Sequence, residues 1–287
     1  MDNYYHLNLY KYPNEFFVLN EDGTGLKSLF VSDEHPIVGS PAVSPDGKWI
    51  AFDESPLGRK YSEQIYVMSI DGENLRLICS GMMPTWSADS RFLACSRREP
   101  IYGIWLVDTT NDDREHLKQT NWAQLSPDGK KLAFSEGAKL MSMDIETDVS
   151  TTAVNEESNP YASIISNGTW SPDGKQFCVK CRKQDGTFDI ATVSMVEKDG
   201  RPKFKAHYSC TSNMMTDFAW HPKGDRVIFS SICPEREGRK QLYEFNPDKT
   251  DSVKLVVGQD ESRNNTDSCW TPDGKRLIFI SGDYSDD

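Results

Sequence analysis

Apolar and polar positions alternate along the chain in short runs such as IYVMSI (65–70) and RLIFI (276–280), each bounded by Gly, Pro, Asp or Asn. Alternation with a period of two between turn residues predicts half-buried β-strands. The pattern predicts almost no helix. No run approaches the roughly 18 apolar residues that a membrane-spanning helix needs.

The strands recur in a fixed unit. Six segments share one pattern: VSPDGKWIAF (43–52), WSADSRFLAC (86–95), LSPDGKKLAF (125–134), WSPDGKQFCV (170–179), WHPKGDRVIF (220–229) and WTPDGKRLIF (270–279). Counted from Ser44, the copies are spaced by 43, 39, 45, 50 and 50 residues, the length of one four-stranded propeller blade. The local chemistry explains the motif. Pro pre-sets φ at the second position of a type I turn, Asp tolerates the third, and Gly takes the position that needs positive φ. Ala88 and Ser90 replace Pro and Gly in the second copy, and the fifth has Lys223-Gly224, so these two turns are expected to be the least regular.

A second pattern follows each hairpin: strand, polar turn, strand. IYVMSIDGENLRLIC (65–79) is the clearest of five copies. The missing sixth stands at the N-terminus, where FFVLNEDGTGLKSLF (16–30) aligns with 65–79 without a gap. The chain therefore starts with the outer half of a blade and ends with the inner half. That phase shift is expected of a ring that closes by sharing one blade between its ends, which also removes two exposed strand edges. The expectation is one all-β domain over 1–287, a six-bladed propeller of four-stranded antiparallel blades. Its parts are an N-terminal half-blade at about 15–31, full blades at about 40–80, 82–120, 121–155, 166–210 and 216–258, and a C-terminal half-blade at about 267–282. Two columns are expected to pack between blades: Val43, Trp86, Leu125, Trp170, Trp220 and Trp270 before the turn, and Phe52, Cys95, Phe134, Val179, Phe229 and Phe279 after it. A closed ring leaves no edge that demands a partner strand, so a monomer is expected.

Composition narrows the function classes. With 32 basic and 44 acidic residues the formal charge is −12, which argues against general binding of nucleic acid or anionic membranes. The seven cysteines are odd in number and lack framework spacing. Cys178 and Cys181 form a C-x-x-C, but in a strand residues three apart point to opposite faces, so core positions are expected rather than a metal or redox pair. The first residues lack a basic and an apolar leader segment. No nucleophile elbow, His-Glu-x-x-His or phosphate-binding loop is present.

The six copies of the SPDG motif, each followed by a strand such as IYVMSIDGENLRLIC, resemble the propeller repeats of the TolB family over about 16–282. Similar repeats occur in propeller domains of prolyl-oligopeptidase-type peptidases and in oligogalacturonate lyases. The resemblance implies an extracytoplasmic scaffold that binds a protein or peptide through its propeller face, without TolB's separate N-terminal α/β domain. If Met1 is the native start, the compartment is the cytoplasm instead. Two other readings stand beside it: a carbohydrate- or small-ligand-binding propeller, and a lyase or hydrolase acting on an acidic glycan.

On such a scaffold function is expected where loops vary. The SPDG and DG turns share one face and look structural. On the opposite face, loops within blades carry Arg59, Lys60, Arg97, Arg98, Arg182, Lys183, Arg236, Arg239 and Lys240. The loops between blades, nearer the axis, carry Asp33, Glu34, His35, Glu156, Glu157, Asp217, Asp260, Glu261 and Asp267. This predicts an acidic pore mouth inside a basic rim. His35, Asp217 and Asp267 are the candidate mouth residues, and Arg59, Arg97, Arg182 and Arg239 the candidate rim. No cofactor is expected, although His35 with acids such as Asp217 offers a donor set for a single cation.

Overall fold

A computed structural model describes residues 14–31, 34–35, 37–56, 62–111, 113–195, 202–211, 216–233 and 238–283. All regular structure among them is β-strand, in six antiparallel four-stranded sheets. Blade one holds β3 (Val38–Val43), β4 (Trp49–Glu54), β5 (Gln64–Ser69) and β6 (Arg76–Ser80). Blade two holds β7 (Met82–Trp86), β8 (Phe92–Arg97), β9 (Gly103–Asp108) and β10 (Arg114–Lys118). Blade three holds β11 (Gln124–Leu125), β12 (Lys131–Glu136), β13 (Lys139–Asp144) and β14 (Val149–Val154). Blade four holds β15 (Ser163–Trp170), β16 (Gln176–Arg182), β17 (Phe188–Ser194) and β18 (Phe204–Cys210). Blade five holds β19 (Phe218–Trp220), β20 (Val227–Ile232), β21 (Lys240–Phe245) and β22 (Lys254–Leu255).

Blade six is the shared one. Its order is β23 (Asn264–Trp270), β24 (Arg276–Gly282), β1 (Glu15–Asn20), β2 (Lys27–Phe30). β1 and β24 pair without a break from Glu15↔Ser281 to Asn20↔Arg276, so the two ends of the chain complete one sheet.

Each SPDG turn is held by the same bonds. In blade one the Ser44 hydroxyl donates to Asp46 Oδ1 (2.6 Å) and accepts from Trp49 N (3.0 Å), while Gly47 N donates to Ser44 O (2.8 Å). Gly47 stands at φ 72°, where a side chain would be strained. The second turn proves as regular as the rest. Ser90 adopts φ 63° in the glycine position, and its hydroxyl accepts from Asp46 N (3.0 Å) of the neighbouring blade, which offsets the strain. The fifth turn lacks the hydroxyl altogether: buried His221 replaces Ser, accepts from Lys223 N through Nδ1 (3.2 Å) and reaches Gly274 O of blade six through Nε2 (3.1 Å).

The core is divided into six apolar clusters, one at each junction between blades. The expected columns fill them. Trp86, Leu125, Trp170, Trp220 and Trp270 are buried, as are Phe52, Cys95, Phe134, Val179, Phe229 and Phe279. Tryptophan also ties blades by its indole: Trp86 Nε1 donates to Ala42 O (2.9 Å) and Trp170 Nε1 to Gln124 O (3.1 Å), each in the preceding blade. Cys178 joins the cluster between blades four and five and Cys181 the one between three and four, so the C-x-x-C sulfurs face different blades. No helix among the described residues is long and apolar enough to cross a membrane.

Candidate functional site: a carboxylate collar around the axis

Inner strands run beside the axis, and one backbone feature repeats on them. Four residues before each turn Ser, or its replacement, stand Ser40, Met83, Trp122, Asn167, Asp217 and Asp267. Five of these six are left-handed: Ser40 at φ 48°, Met83 at 57°, Trp122 at 54°, Asn167 at 90° and Asp267 at 31°. Register breaks in β3, β7, β15 and β23 fall at the same level, which marks them as β-bulges. A bulge frees backbone N–H groups from the ladder, and side chains of the neighbouring blade capture them. Asp53 Oδ2 accepts from Met83 N (2.7 Å), and Ser96 Oγ accepts from Trp122 N (2.9 Å). Both acceptors stand nine residues after their own turn Ser. Left-handed non-glycine residues cost of order 1–3 kcal/mol each and persist where surrounding structure fixes them, often at binding sites.

The collar is chemically lopsided. On the side of blades five, six and one it carries Asp217, Asp267 and Asp53. On the side of blades two and three it carries Met83 and Trp122. The acids lie close enough to act on one another: the Asp217 carboxyl shares a proton with that of Asp267, and Ser40 stands beside both Asp267 and Asp53. Gly39 makes room for this, since a Cβ there would lie 2.6 Å from Asp53 Oδ1.

Each of the three acids is half-buried, and Asp217 lines the axial cavity. Burial, reinforced by the charges of Asp267 and Glu63, pushes the Asp53 carboxyl up to about 7. Burial also raises Asp217 well above the usual carboxylate range, helped by the neighbouring charges of Asp267 and Asp53. Asp267 is raised by burial and held back by Lys240 and by the hydrogen bond from Asp217. Asp217 is thus the partner that keeps its proton and donates it to Asp267. Lys240 is lowered by burial, against the pull of Asp267 and Asp217. The collar therefore holds fewer negative charges than carboxylates, and each acid's proton affinity depends on what cation stands nearby.

From this collar a cavity of about 270 Å³ runs along the axis, lined by Ser40, Met83, Asn167 and Asp217 at one end and by the turn prolines Pro45 and Pro222 at the other. Trp86, Trp220 and Trp270 are in its wall. The turn face is therefore not purely structural, because its prolines shape the channel. Within the wall the Oγ of Ser268 is buried without a hydrogen-bond partner.

The structure brings Asp217 and Asp267 together and sets Asp53 and Lys240 near enough for their charges to act on this pair. It does not bring His35 there: the His35 ring packs on Tyr66 of β5 with centroids 4.6 Å apart. Nor is Arg97 a rim charge. It is buried, with its guanidinium 5.1 Å from the Trp105 ring centre and Nη2 donating to Ser80 Oγ (3.1 Å). Arg97 ends β8 facing the β9 tryptophan, and stacking there covers more apolar surface than a solvated rim would. Arg182 is exposed at the end of β16. Arg239 is half-buried, its carbonyl accepting from Cys233 N (2.8 Å). Arg59 lies outside the described residues, as do Asp33, Lys60 and Arg236. Among the described residues no three His, Cys, Asp or Glu side chains are grouped to hold a metal ion.

Six four-stranded blades around an open axis, sealed by a blade that both ends of the chain build, define a six-bladed β-propeller. The chain is similar to a putative TolB from Agrobacterium tumefaciens, with a TM-score of 0.69 and 19% identity over 96% of this chain and 99% of that one. Against TolB from Acinetobacter baumannii the TM-score is 0.65 at 16% identity, and 96% of this chain covers 65% of that chain. The β-propeller domain of the Trilobed protease from Pyrococcus furiosus, described as having an open velcro topology, matches at 0.51 with 15% identity over 85% of this chain and 81% of that one. No family model matches the sequence.

Proposed function

We propose that the protein is a non-enzymatic scaffold that binds a protein or peptide segment through its loop face and central channel, with a cationic group of that segment at the collar. The observation that carries this reading is the collar itself. Six left-handed or acid-bearing positions at one level, two of them carboxylates with the Asp53 carboxyl beside them, drawn together at a cost in desolvation, form a preorganised acceptor for an ammonium or guanidinium group. The indoles and prolines of the channel wall suit an extended chain behind that cation. The same acids disfavour an anionic glycan at the axis, which sets the glycan readings behind the peptide one.

The test is selection of a phage-displayed peptide library on the wild-type protein, followed by titration of the best peptide with and without N-terminal acetylation. Binding should weaken at least ~10-fold, equal to about 1.4 kcal/mol, in Asp217→Asn and Asp267→Asn. If peptides bind and neither substitution alters their affinity, the collar is not the site.

A further inference from the structure

Blades four and five enclose a second cavity, apart from the axial channel, near the loops that join β16 to β17 and β20 to β21. It has a volume of about 10 Å³, and its lining includes Lys180 of blade four with Thr216, Ser230, Ser231 and Lys240 of blade five. The strands explain the placement. Lys180 stands on β16 opposite Ile190, and Lys240 opens β21 opposite Ile232. Cys178, two residues before Lys180 and on the same face of β16, packs into the apolar cluster between blades four and five. Lys180 therefore faces blade five at the end of that cluster.

The chemistry of the lining is one-sided. Lys180 is only 4% exposed, and its Nζ lies 4.9 Å from the Phe188 ring centre, so the ammonium is held inside the wall. The Thr216 hydroxyl donates to Ser230 O (3.0 Å), which fixes the approach to β19 against β20. The Ser231 hydroxyl makes a long bond to Tyr208 Oη (3.4 Å) and is able to turn. Among the described residues that line the cavity there is no carboxylate. Two lysines with hydroxyl donors around one small space make a site for negative charge. Size decides the kind. A volume of about 10 Å³ takes a single water-sized particle, so a monatomic ion fits and the carboxylate or phosphate of an organic ligand does not. Burial lowers the Lys180 ammonium below its ordinary value and the Lys240 charge lowers it further, a penalty that an anion between them reverses.

We propose that this cavity is a halide site, which holds one chloride between Lys180 and Lys240 with the Ser231 hydroxyl as a further donor. The ion ties blade four to blade five. It binds the folded ring and not the open chain, so it stabilises the fold by mass action. The site is independent of the peptide reading of the axial channel, with which it shares no lining residue.

The experiment compares thermal unfolding of the full-length protein in sodium chloride and in sodium gluconate at equal ionic strength, gluconate being too large to enter. The expected result is a midpoint higher in chloride by roughly 2–4 °C once chloride exceeds its dissociation constant several-fold. Bromide should reproduce the rise, and Lys180→Met should lose it. Equal midpoints in chloride and gluconate overturn the proposal, and so does a chloride effect that Lys180→Met leaves unchanged. Wild-type crystals grown in sodium bromide supply a readout that does not depend on the variant folding. An anomalous peak between Lys180 and Lys240 is expected there, and a cavity without one overturns the assignment.

Discussion

The two sides of this ring are built differently. Blade six has no covalent link between its inner and outer halves, and polar clasps concentrate there. Asn14 binds the Val38 backbone twice, Nδ2 to O at 2.9 Å and N to Oδ1 at 3.0 Å. Arg263 pairs with Glu15 at 2.9 Å, and Glu21 meets Arg226 and Lys223 of blade five. Its inner strand, β23, is seven residues long. Blade three is continuous through its hairpins. Its inner strand β11 is two residues long, and its outermost strand β14 is largely exposed. The charged half of the collar lies toward blade six, and the apolar half toward blades two and three. The contrast teaches that a propeller can thin a blade whose strands are tied by short turns, while the blade that joins the chain ends needs cross-links of its own.

The largest expected effect falls on the closure. Phe16 is fully buried against Phe52 (ring centroids 5.1 Å), so Phe16→Ala should lower unfolding free energy by about 3–5 kcal/mol in a denaturant titration. A loss near that of an exposed residue would mean that β1 does not seal the ring. Asn14→Ala, which removes both backbone clasps and leaves Val38 N–H buried, should cost about 1–3 kcal/mol by the same measurement.

Next in size is the effect of pH. The folded pKa of Asp53 lies above its unfolded value, so folding favours its protonated form. The stability this contributes is present in acid and is lost as pH rises from about 4 toward about 7. The thermal midpoint of the wild type should therefore fall over that range, and Asp53→Asn, which keeps an acceptor for Met83 N–H, should fall less. A steeper decline in the variant would contradict the assigned burial. Gly39→Ala, which crowds the Asp53 carboxylate, should weaken peptide binding more than it lowers the midpoint. Smallest of all, Val149→Thr on the exposed face of β14 should shift stability by less than ~0.5 kcal/mol.

The repeats made the ring legible because each turn uses the same few residues for the same bonds. Closure was equally plain, since an outer half-blade at one end and an inner one at the other have a single simple arrangement. The collar was only half visible. Asp217 and Asp267 drew notice as acids before inner strands, but the column they occupy also holds Ser, Met, Trp and Asn. What that column shares is a backbone conformation, for which side-chain identity is a poor sign. Asp53 and Lys240 flank loops within blades, where nothing in the linear pattern shows that their charges act on Asp217 and Asp267. Arg97 misled for the opposite reason: its loop position suggested a solvated charge, and stacking on Trp105 buries it.

Carboxyl titration by ¹³C NMR bears most directly on the collar. Asp53 should titrate at about 7, and Asp217 should stay protonated past the range in which ordinary carboxyls ionise. If all three acids lost their protons near pH 4, as solvated carboxylates do, the collar would be an ordinary wet surface and the binding site derived from it would fall.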